Sequence, residues 1–516
     1  MEIQTGALVI AYMVGMMIIG YVVGKINIKG SADYLVAGRR MGLFMVAFSL
    51  SANNIGGGST TGLAQKAFGA WGVSAIWYVL AASLAMIPLA YFAPKIRKTM
   101  AVTIPEVVGR RFGKVSSNFT AVLSVLSLFC LTSSQIGASG AVINALIPSI
   151  PLNVCLLLAG FVTIFYTTFG GMIADQVSDL IQFGIILVGL AIATPIVLKH
   201  AGGWAAISAA LPGEKLNMTQ IGWASIIGYF FNYFCTFLCG PEMVSRFETC
   251  KDEKTAVRAS FLCAILMAAM AIFPTLLGLA AFALKDQLPG LAENGSNAMM
   301  VVTGTYAPGI ITGLISAAII CATMSSADSN LLCMSTMIIN DIYPGFGGKK
   351  KLNDKQTIFY TRLCNVIAAL IAMCISMFGV SLVAMNTFAF GIRCAGPFAA
   401  YGLGLAVPKA TKNSGLISIF TGTIAFVVWQ LLSNGGTLWF MMPVVFGSLV
   451  SVITFYVVNL IEWKLAREPS NLPSPNETAR PANGRAGLTF SAASIKVAPV
   501  HRTMSLISKP TPLPVC

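Results

Sequence analysis

Apolar residues run along this chain in blocks of roughly membrane-crossing length, separated by short polar or basic stretches. Thirteen blocks stand out, at about 6–27, 42–66, 72–94, 119–147, 152–169, 176–198, 221–244, 257–284, 307–340, 357–380, 383–407, 414–432 and 437–463. Each approaches the ~20 residues that a helix needs to cross a hydrocarbon core. A transmembrane barrel would instead show ~10-residue segments of alternating polarity. The pattern predicts an all-α polytopic membrane protein with thirteen transmembrane helices. The first block has the length of a span and lacks a basic n-region, so no cleavable signal peptide is expected. Beyond residue 466 the chain turns rich in Pro, Ser, Asn and Ala, without periodicity. This predicts a transmembrane domain at 1–466 and a disordered cytoplasmic tail at 467–516, too short for an enzymatic or sensor domain.

Composition agrees with the pattern. Of 516 residues, 56% are hydrophobic and 10% charged, against about 25% charged in a soluble domain. A soluble enzyme, a coiled coil and a nucleic-acid-binding domain are excluded on that ground. The net charge of +15 is a topology signal. Sorted by loop, 28 Lys and Arg residues fall on one side of the spans and four on the other (Lys66, Lys199, Lys215 and Lys285), with Arg393 inside a span. The basic side is expected to be cytoplasmic. That places the N-terminus outside and the C-terminus inside a multi-pass plasma-membrane protein, with anionic lipid headgroups as partners and no nucleic acid. The 12 cysteines have no paired spacing, and most lie in apolar spans, where they read as small packing residues. Two histidines, His200 and His501, lie outside the spans, which removes histidine metal sites, proton relays and His-based catalysis. Asn217-Met-Thr and Asn294-Gly-Ser are glycosylation sequons on outer loops, relevant in a eukaryotic host.

Five spans depart from plain Leu, Ile, Val, Phe and Ala. The second contains Ser51-Ala52-Asn53-Asn54-Ile55-Gly56-Gly57-Gly58-Ser59-Thr60-Thr61. Three glycines beside two amides make a poor helix, and carbonyls freed by unwinding there need a partner that lipid lacks. A cation or a polar solute supplies one. The seventh span contains Asn232-Tyr233-Phe234 and ends at Gly240-Pro241, a second invitation to break. The ninth contains Ala322-Thr323-Met324-Ser325-Ser326-Ala327-Asp328-Ser329. An intramembrane carboxylate among hydroxyls points to function, and oxygen-only ligands suit a hard cation such as Na⁺. Ser325 and Ser329, four apart, share a helix face. The sixth span opens with Asp175 and Asp179. Asp175 is expected at the cytoplasmic surface and Asp179 about a turn deeper, where a functional role is favoured over a helix N-terminal acid that satisfies the dipole. Three roles are open to Arg393: an ion pair with Asp179 or Asp328, contact with an anionic solute, or snorkelling to an interface.

The broken second and seventh spans stand five apart, so the units they begin run in opposite directions. Such paired breaks mark secondary transporters, with the site at the repeat interface. At this point the residues resemble the sodium:solute symporter family. The stretch Tyr166-Thr-Thr-Phe-Gly170-Gly171-Met-Ile-Ala174, followed by Asp179 and Gln182, is similar to that family's signature. So are Ala322-Thr-Met-Ser325-Ser326, ending at Asp341-Ile-Tyr343, then Thr103-Ile-Pro105-Glu106, and Gly240-Pro241 with Arg246-Phe247. The resemblance runs from about residue 6 to 463.

The resemblance implies a LeuT-type 5+5 inverted repeat, at about 42–198 and 221–407, with extra helices at both ends. It implies Na⁺ as the coupling ion and no other cofactor. Carried over by position, the carbonyls of Ala52, Ile55 and Ala322 and the hydroxyls of Ser325 and Ser326 would hold it. Some members bind a second sodium; the corresponding positions here are Asp179, Asp328 and Ser329. An acid at Asp328 departs from the family's usual hydroxyl, leaving a second sodium, a proton or a pair with Arg393 open. The solute would lie among Asn54, Ser59, Thr60, Gln135, Tyr233 and Arg393, and Arg393 tilts the expectation toward an amino acid or other carboxylate. The expected activity is sodium-coupled import of a small polar solute by alternating access, without enzymatic chemistry. Rival readings are a proton-coupled carrier using Asp179 or Asp328, a channel, a membrane enzyme and a transporter-like sensor. No continuous polar pore, nucleophile–base pair or output domain is visible in the sequence to favour the last three.

Overall fold

The computed structural model describes residues 2–146, 149–345, 352–378, 382–433, 438 and 441–465. The expected tail at 467–516 lies outside the described residues. The fold is helical throughout these segments. In chain order the helices are α1 (Glu2–Asn27), α2 (Ser31–Val36), α3 (Leu43–Asn54), α4 (Thr61–Phe68), α5 (Trp77–Thr99), α6 (Ile104–Phe112) and α7 (Lys114–Leu146). Next come α8 (Leu152–His200), α9 (Gly203–Ala210), α10 (Trp223–Leu238), α11 (Pro241–Thr249), α12 (Glu253–Ala283), α13 (Ala298–Tyr306) and α14 (Gly309–Met337). The series closes with α15 (Asp354–Met377), α16 (Leu382–Cys394), α17 (Lys412–Leu432) and α18 (Pro443–Leu465).

Among the described residues, nine segments are long and apolar enough to cross a membrane. Each falls on one of the expected blocks. The remaining four blocks are shorter or interrupted. The second is split into α3 and α4, and the seventh into α10 and α11. The fifth is the apolar segment Leu152–Phe165. The eleventh is α16, continued by a π-helical turn at Ala399–Leu403.

Local chemistry accounts for the helix ends. Ile55 turns out of helical geometry after α3, while its N–H still reaches the carbonyls of Ser51 and Ala52 at 3.1 Å. Thr103 caps α6 by accepting the Glu106 N–H at 3.2 Å, with Pro105 in the first turn. Asp252 caps α12 through the Thr255 N–H at 2.7 Å. Asn353 and Gln356 cap α15 reciprocally. The fifth and sixth blocks join as α8, which breaks at Gly171 (φ +59°, ψ −170°). That region of backbone space is essentially restricted to glycine. A Cβ there would also stand 2.7 Å from the ring of buried Tyr34.

The broken helices meet near the middle of the fold. α3 packs against α8, α12 and α14, and α11 packs against α3, α5 and α14. The backbone just before α3 is also tied to the end of α11: Met41 N–H donates to Thr249 O, and Lys251 N–H to Met41 O, both at 3.1 Å. Every residue of α11 is buried.

Candidate functional site

The break between α3 and α4 is a loop held by its own side chains. Ser59 Oγ donates to Asn54 O at 2.9 Å and accepts the Gly56 N–H at 3.0 Å. Thr60 Oγ1 donates to Gly56 O, and Thr61 Oγ1 to Gly57 O, each at 2.9 Å. Ser59 and Thr60 are buried, whereas Gly58 is exposed. The two hydroxyls named as solute contacts therefore spend their protons on fixing the loop. The triple glycine allows close approach: a Cβ on Gly57 would stand 3.7 Å from Thr323 of α14, and one on Gly58 3.5 Å from the Tyr78 hydroxyl.

α14 presents its hydroxyl run to this loop and to α8. Ala52, Ile55 and Ala322 lie in one buried cluster. Ser326 Oγ donates to Ala322 O at 3.1 Å, which leaves the Ser326 lone pairs free to accept. Ser325 Oγ donates to Asp179. Thr323 and Ser139 of α7 share a hydroxyl hydrogen bond at 2.7 Å. Five oxygen groups expected to hold sodium, from Ala52, Ile55, Ala322, Ser325 and Ser326, are thus all buried on two elements that pack together.

Beside them lies a centre of charge. Arg246 of α11 is fully buried. Its Nη2 donates to Asp175 Oδ2 at 2.7 Å, to Asp179 Oδ2 at 3.1 Å and to Ser329. Its Nε reaches Ser49 Oγ at 3.2 Å, and Ser49 in turn donates to Asp179 Oδ2 at 2.6 Å. Ser329 Oγ lies 2.9 Å from Asp175 Oδ1. Asp328 is buried on the same helix, one residue before Ser329, and its Oδ1 has no hydrogen-bond partner among the described residues. Two buried acids thus pair with one guanidinium, and a third, Asp328, is buried on the neighbouring helix α14. Excess negative charge is expensive at membrane depth, and a cation or proton beside these groups removes it.

Two sequence expectations are corrected here. Asp175 is not at a surface but 1% exposed, in contact with Arg246. Arg246, sorted with the loop cations, is the centre of the cluster. The available signal was spacing: Asp175 and Asp179, and Ser325 and Ser329, are two i,i+4 pairs, and such pairs on packed helices converge.

Arg393 is corrected as well. Its partner is Glu242 of α11, not Asp179 or Asp328, in a two-pronged pair at 2.5 and 2.6 Å. Both side chains are nearly buried. Buried and with two of its nitrogens on Glu242, Arg393 does not snorkel, and its Nε has no partner among the described residues. Glu242 went unnoticed because it follows Gly240-Pro241, where the apolar block seemed to be ending.

The solute candidates that stay together are Asn54, Gln135 and Tyr233, all half-buried. Asn54 donates to Leu50 O at 2.9 Å and lies 3.3 Å from Met243 Sδ. Gln135 Oε1 faces Gly56, 4.0 Å from where a Cβ would be. Tyr233 packs edge-on to Tyr78 with ring centroids 6.1 Å apart. Tyr229 and Phe237 extend the aromatic group. Lys66 of α4 stands over Trp71 at 3.9 Å and over Tyr78 at 5.2 Å. Sequence reading missed Tyr78 and treated Lys66 only as an outer-loop charge. Neither had a neighbour in sequence to mark it.

Comparison with known proteins follows the geometry. The model of the sodium:solute symporter family matches residues 34–422. A sodium/proline symporter of Staphylococcus aureus (strain bovine RF122 / ET3-1) is 26% identical over 490 residues, covering 90% of this chain and 93% of that protein. Symporters of the same description from strains JH9 and JH1 match to the same extent. Among solved structures, a Na⁺-coupled sialic acid symporter in a substrate-bound outward-open state superimposes with a TM-score of 0.76 at 21% identity, over 89% of this chain and 98% of that one. A nucleobase-cation-symport-1 family transporter in a closed conformation superimposes at 0.55 with 16% identity, over 85% and 95% of the two chains. These likenesses place the fold among multi-pass helical membrane transporters. By the family match over most of its length, the chain belongs to the sodium:solute symporter family, a family of transporters rather than enzymes whose members couple solute movement to Na⁺.

Proposed function

We propose that this protein imports a small amino acid or related carboxylate together with one Na⁺ by alternating access. The observation that carries this reading is the charge imbalance of Asp175, Asp179 and Asp328 against Arg246, set beside buried hydroxyls and a broken helix. One Na⁺ among the carbonyls of Ala52, Ile55 and Ala322 and the hydroxyls of Ser325 and Ser326, with one proton on Asp175 or Asp328, makes the region neutral. Arg246 already occupies the oxygens of Asp179 and Ser329, so a second sodium at Asp179, Asp328 and Ser329 is the weaker reading.

The mechanism follows from which elements the ion joins. Na⁺ fixes the α3–α4 break against α14 and so shapes the space between Asn54, Gln135, Tyr78 and Tyr233. Coupling requires each ligand to prefer one conformation. The ion supplies that preference by bridging elements that separate when the inner face opens. The basic loop side is cytoplasmic, where low sodium drives release. The inverted repeats at about 42–198 and 221–407 would rock about this point. For the solute, Lys66 replaces Arg393 as the cation nearest the aromatic group, and relatives described as sodium/proline symporters favour an amino acid. The runner-up is a proton-coupled carrier, favoured by the burial of Asp175 and Asp328.

The test is uptake of radiolabelled L-proline, then of other amino acids and organic acids, into proteoliposomes. An inward Na⁺ gradient should drive saturable uptake, and a pH gradient without Na⁺ should not. Uptake that follows the pH gradient alone would transfer the coupling to Asp175 or Asp328.

A further inference from the structure

Beyond Arg246, along α11, lies a small, partly open cavity bordered by Thr103, Ser245, Glu248, Cys333 and Thr336. About 10 Å³ of it is open to the centre of a water-sized sphere, room for a single water or ion. Glu248 is 2% exposed, and neither of its carboxylate oxygens has a hydrogen-bond partner among the described residues. Burying such a group unpaired is costly. Two nearby cations favour its charge but do not hydrogen-bond to it. Arg39 donates to Met100 O at 2.8 Å and Ala101 O at 3.0 Å, and Arg97 to Cys250 O at 2.5 Å.

The cavity is joined to the proposed sodium site by a polar seam. On α14, Ser325, Ser329, Cys333 and Thr336 recur at helical spacing along one face. On α11, Ser245 and Glu248 are three apart, and Cys333 Sγ lies 3.6 Å from Ser245 Oγ. The distance from Ser325 to Thr336 along the axis is about 16 Å, at 1.5 Å per residue. Arg246 stands in the middle of this seam, bonded to both walls.

We propose that Glu248 is the inner terminus of the ion path: it receives the coupling Na⁺ after it leaves the Ala52–Ser326 site, with the hydroxyls of Ser245 and Thr336 completing an oxygen shell. Arg246 is the plug between the two stations. This inference rests on the sodium reading above. A single carboxylate with neutral oxygens holds a monovalent hard cation weakly, which is what a release station needs.

The test is binding of ²²Na⁺ to the purified full chain, in wild type and in the variants S326A, E248Q, E248D and S326A/E248Q, with choline keeping ionic strength constant. Wild type should bind in a tight and a weak phase. S326A should remove the tight phase and leave the weak one. E248Q should keep the tight phase and weaken the other by about tenfold or more, the usual scale for losing a metal-site group. E248D should keep part of it, and the double variant should bind neither. A weak phase unchanged in E248Q overturns the proposal, as does a single wild-type phase abolished by S326A; both leave the sodium reading standing. Wild-type protein that binds no ²²Na⁺ overturns both. Thermal melting of E248Q and E248D separates lost binding from lost folding.

Discussion

At the scale of single residues, the two buried ion pairs answer different questions. Glu242 and Arg393 neutralise each other completely, in a two-pronged contact between α11 and α16. Removing one partner leaves the other as an unpaired buried charge, which costs about 3–5 kcal/mol, whereas replacing both with apolar side chains is often near neutral. Arg393→Met and Glu242→Met should therefore each lower the thermal midpoint sharply, and the double variant should recover most of the loss. If Arg393→Met kept its stability and lost solute binding instead, Arg393 would be a solute contact after all. Arg246 has no such closed account, because it pairs with two acids, Asp175 and Asp179. The groups beside it are accordingly where ligand dependence should appear. Ser326→Ala removes a hydroxyl that donates only to its own helix carbonyl. Folding should barely change, while the sodium concentration for half-maximal response should rise by about tenfold or more. An unchanged sodium dependence would remove Ser326 from the site.

At the scale of elements, breaks carry more than helices do. The triple glycine and the Gly-Pro step were legible in the sequence because they conflict with an apolar helix. Asn54, Ser59 and Thr60 were legible as polar residues in the wrong place. What Ser59 and Thr60 do was not legible, since a hydroxyl that closes a local turn and one that meets a solute look alike in one dimension. The same limit hid Glu242 and Arg246, which lie where an apolar block gives way to charge. Only the packing of α11 between α3 and α14 shows that the chain is still inside the protein. Gly171 is the clearest element-scale case. It sits at a positive φ against Tyr34, whose hydroxyl also donates to Thr168 O at 3.2 Å. Gly171→Ala should lower stability by about 1–3 kcal/mol, read as a fall in thermal midpoint. Gly184→Ala on the same helix has open space around its Cβ and should be neutral or stabilising. Equal behaviour of the two variants would mean that the break in α8 is not set by Gly171.

At the scale of the whole molecule, sorting Lys and Arg by loop misassigned Arg246, because counting by span boundaries presumes that spans end where apolarity ends. The larger consequence concerns stability. A region built from three acids, one arginine and a set of unwound carbonyls is incomplete without a cation, so the ion should act as a folding ligand for the entire bundle. A ligand that binds only the folded state stabilises it by RT ln(1 + [L]/Kd), about 2.7 kcal/mol at a hundredfold excess over Kd. Melting of the purified protein should therefore rise saturably with Na⁺ and stay flat with K⁺ at constant ionic strength if the buried oxygens proposed to hold the ion, from Ala52, Ile55, Ala322, Ser325 and Ser326, act as a small fixed shell rather than a diffuse acidic surface. In Ser326→Ala the same curve should shift to higher Na⁺, while in Arg393→Met it should start from a lower midpoint and keep its sodium dependence. Equal stabilisation by Na⁺ and K⁺ would mean a general salt effect, and a midpoint that responds to pH but to neither ion would place the coupling on a proton at Asp175 or Asp328.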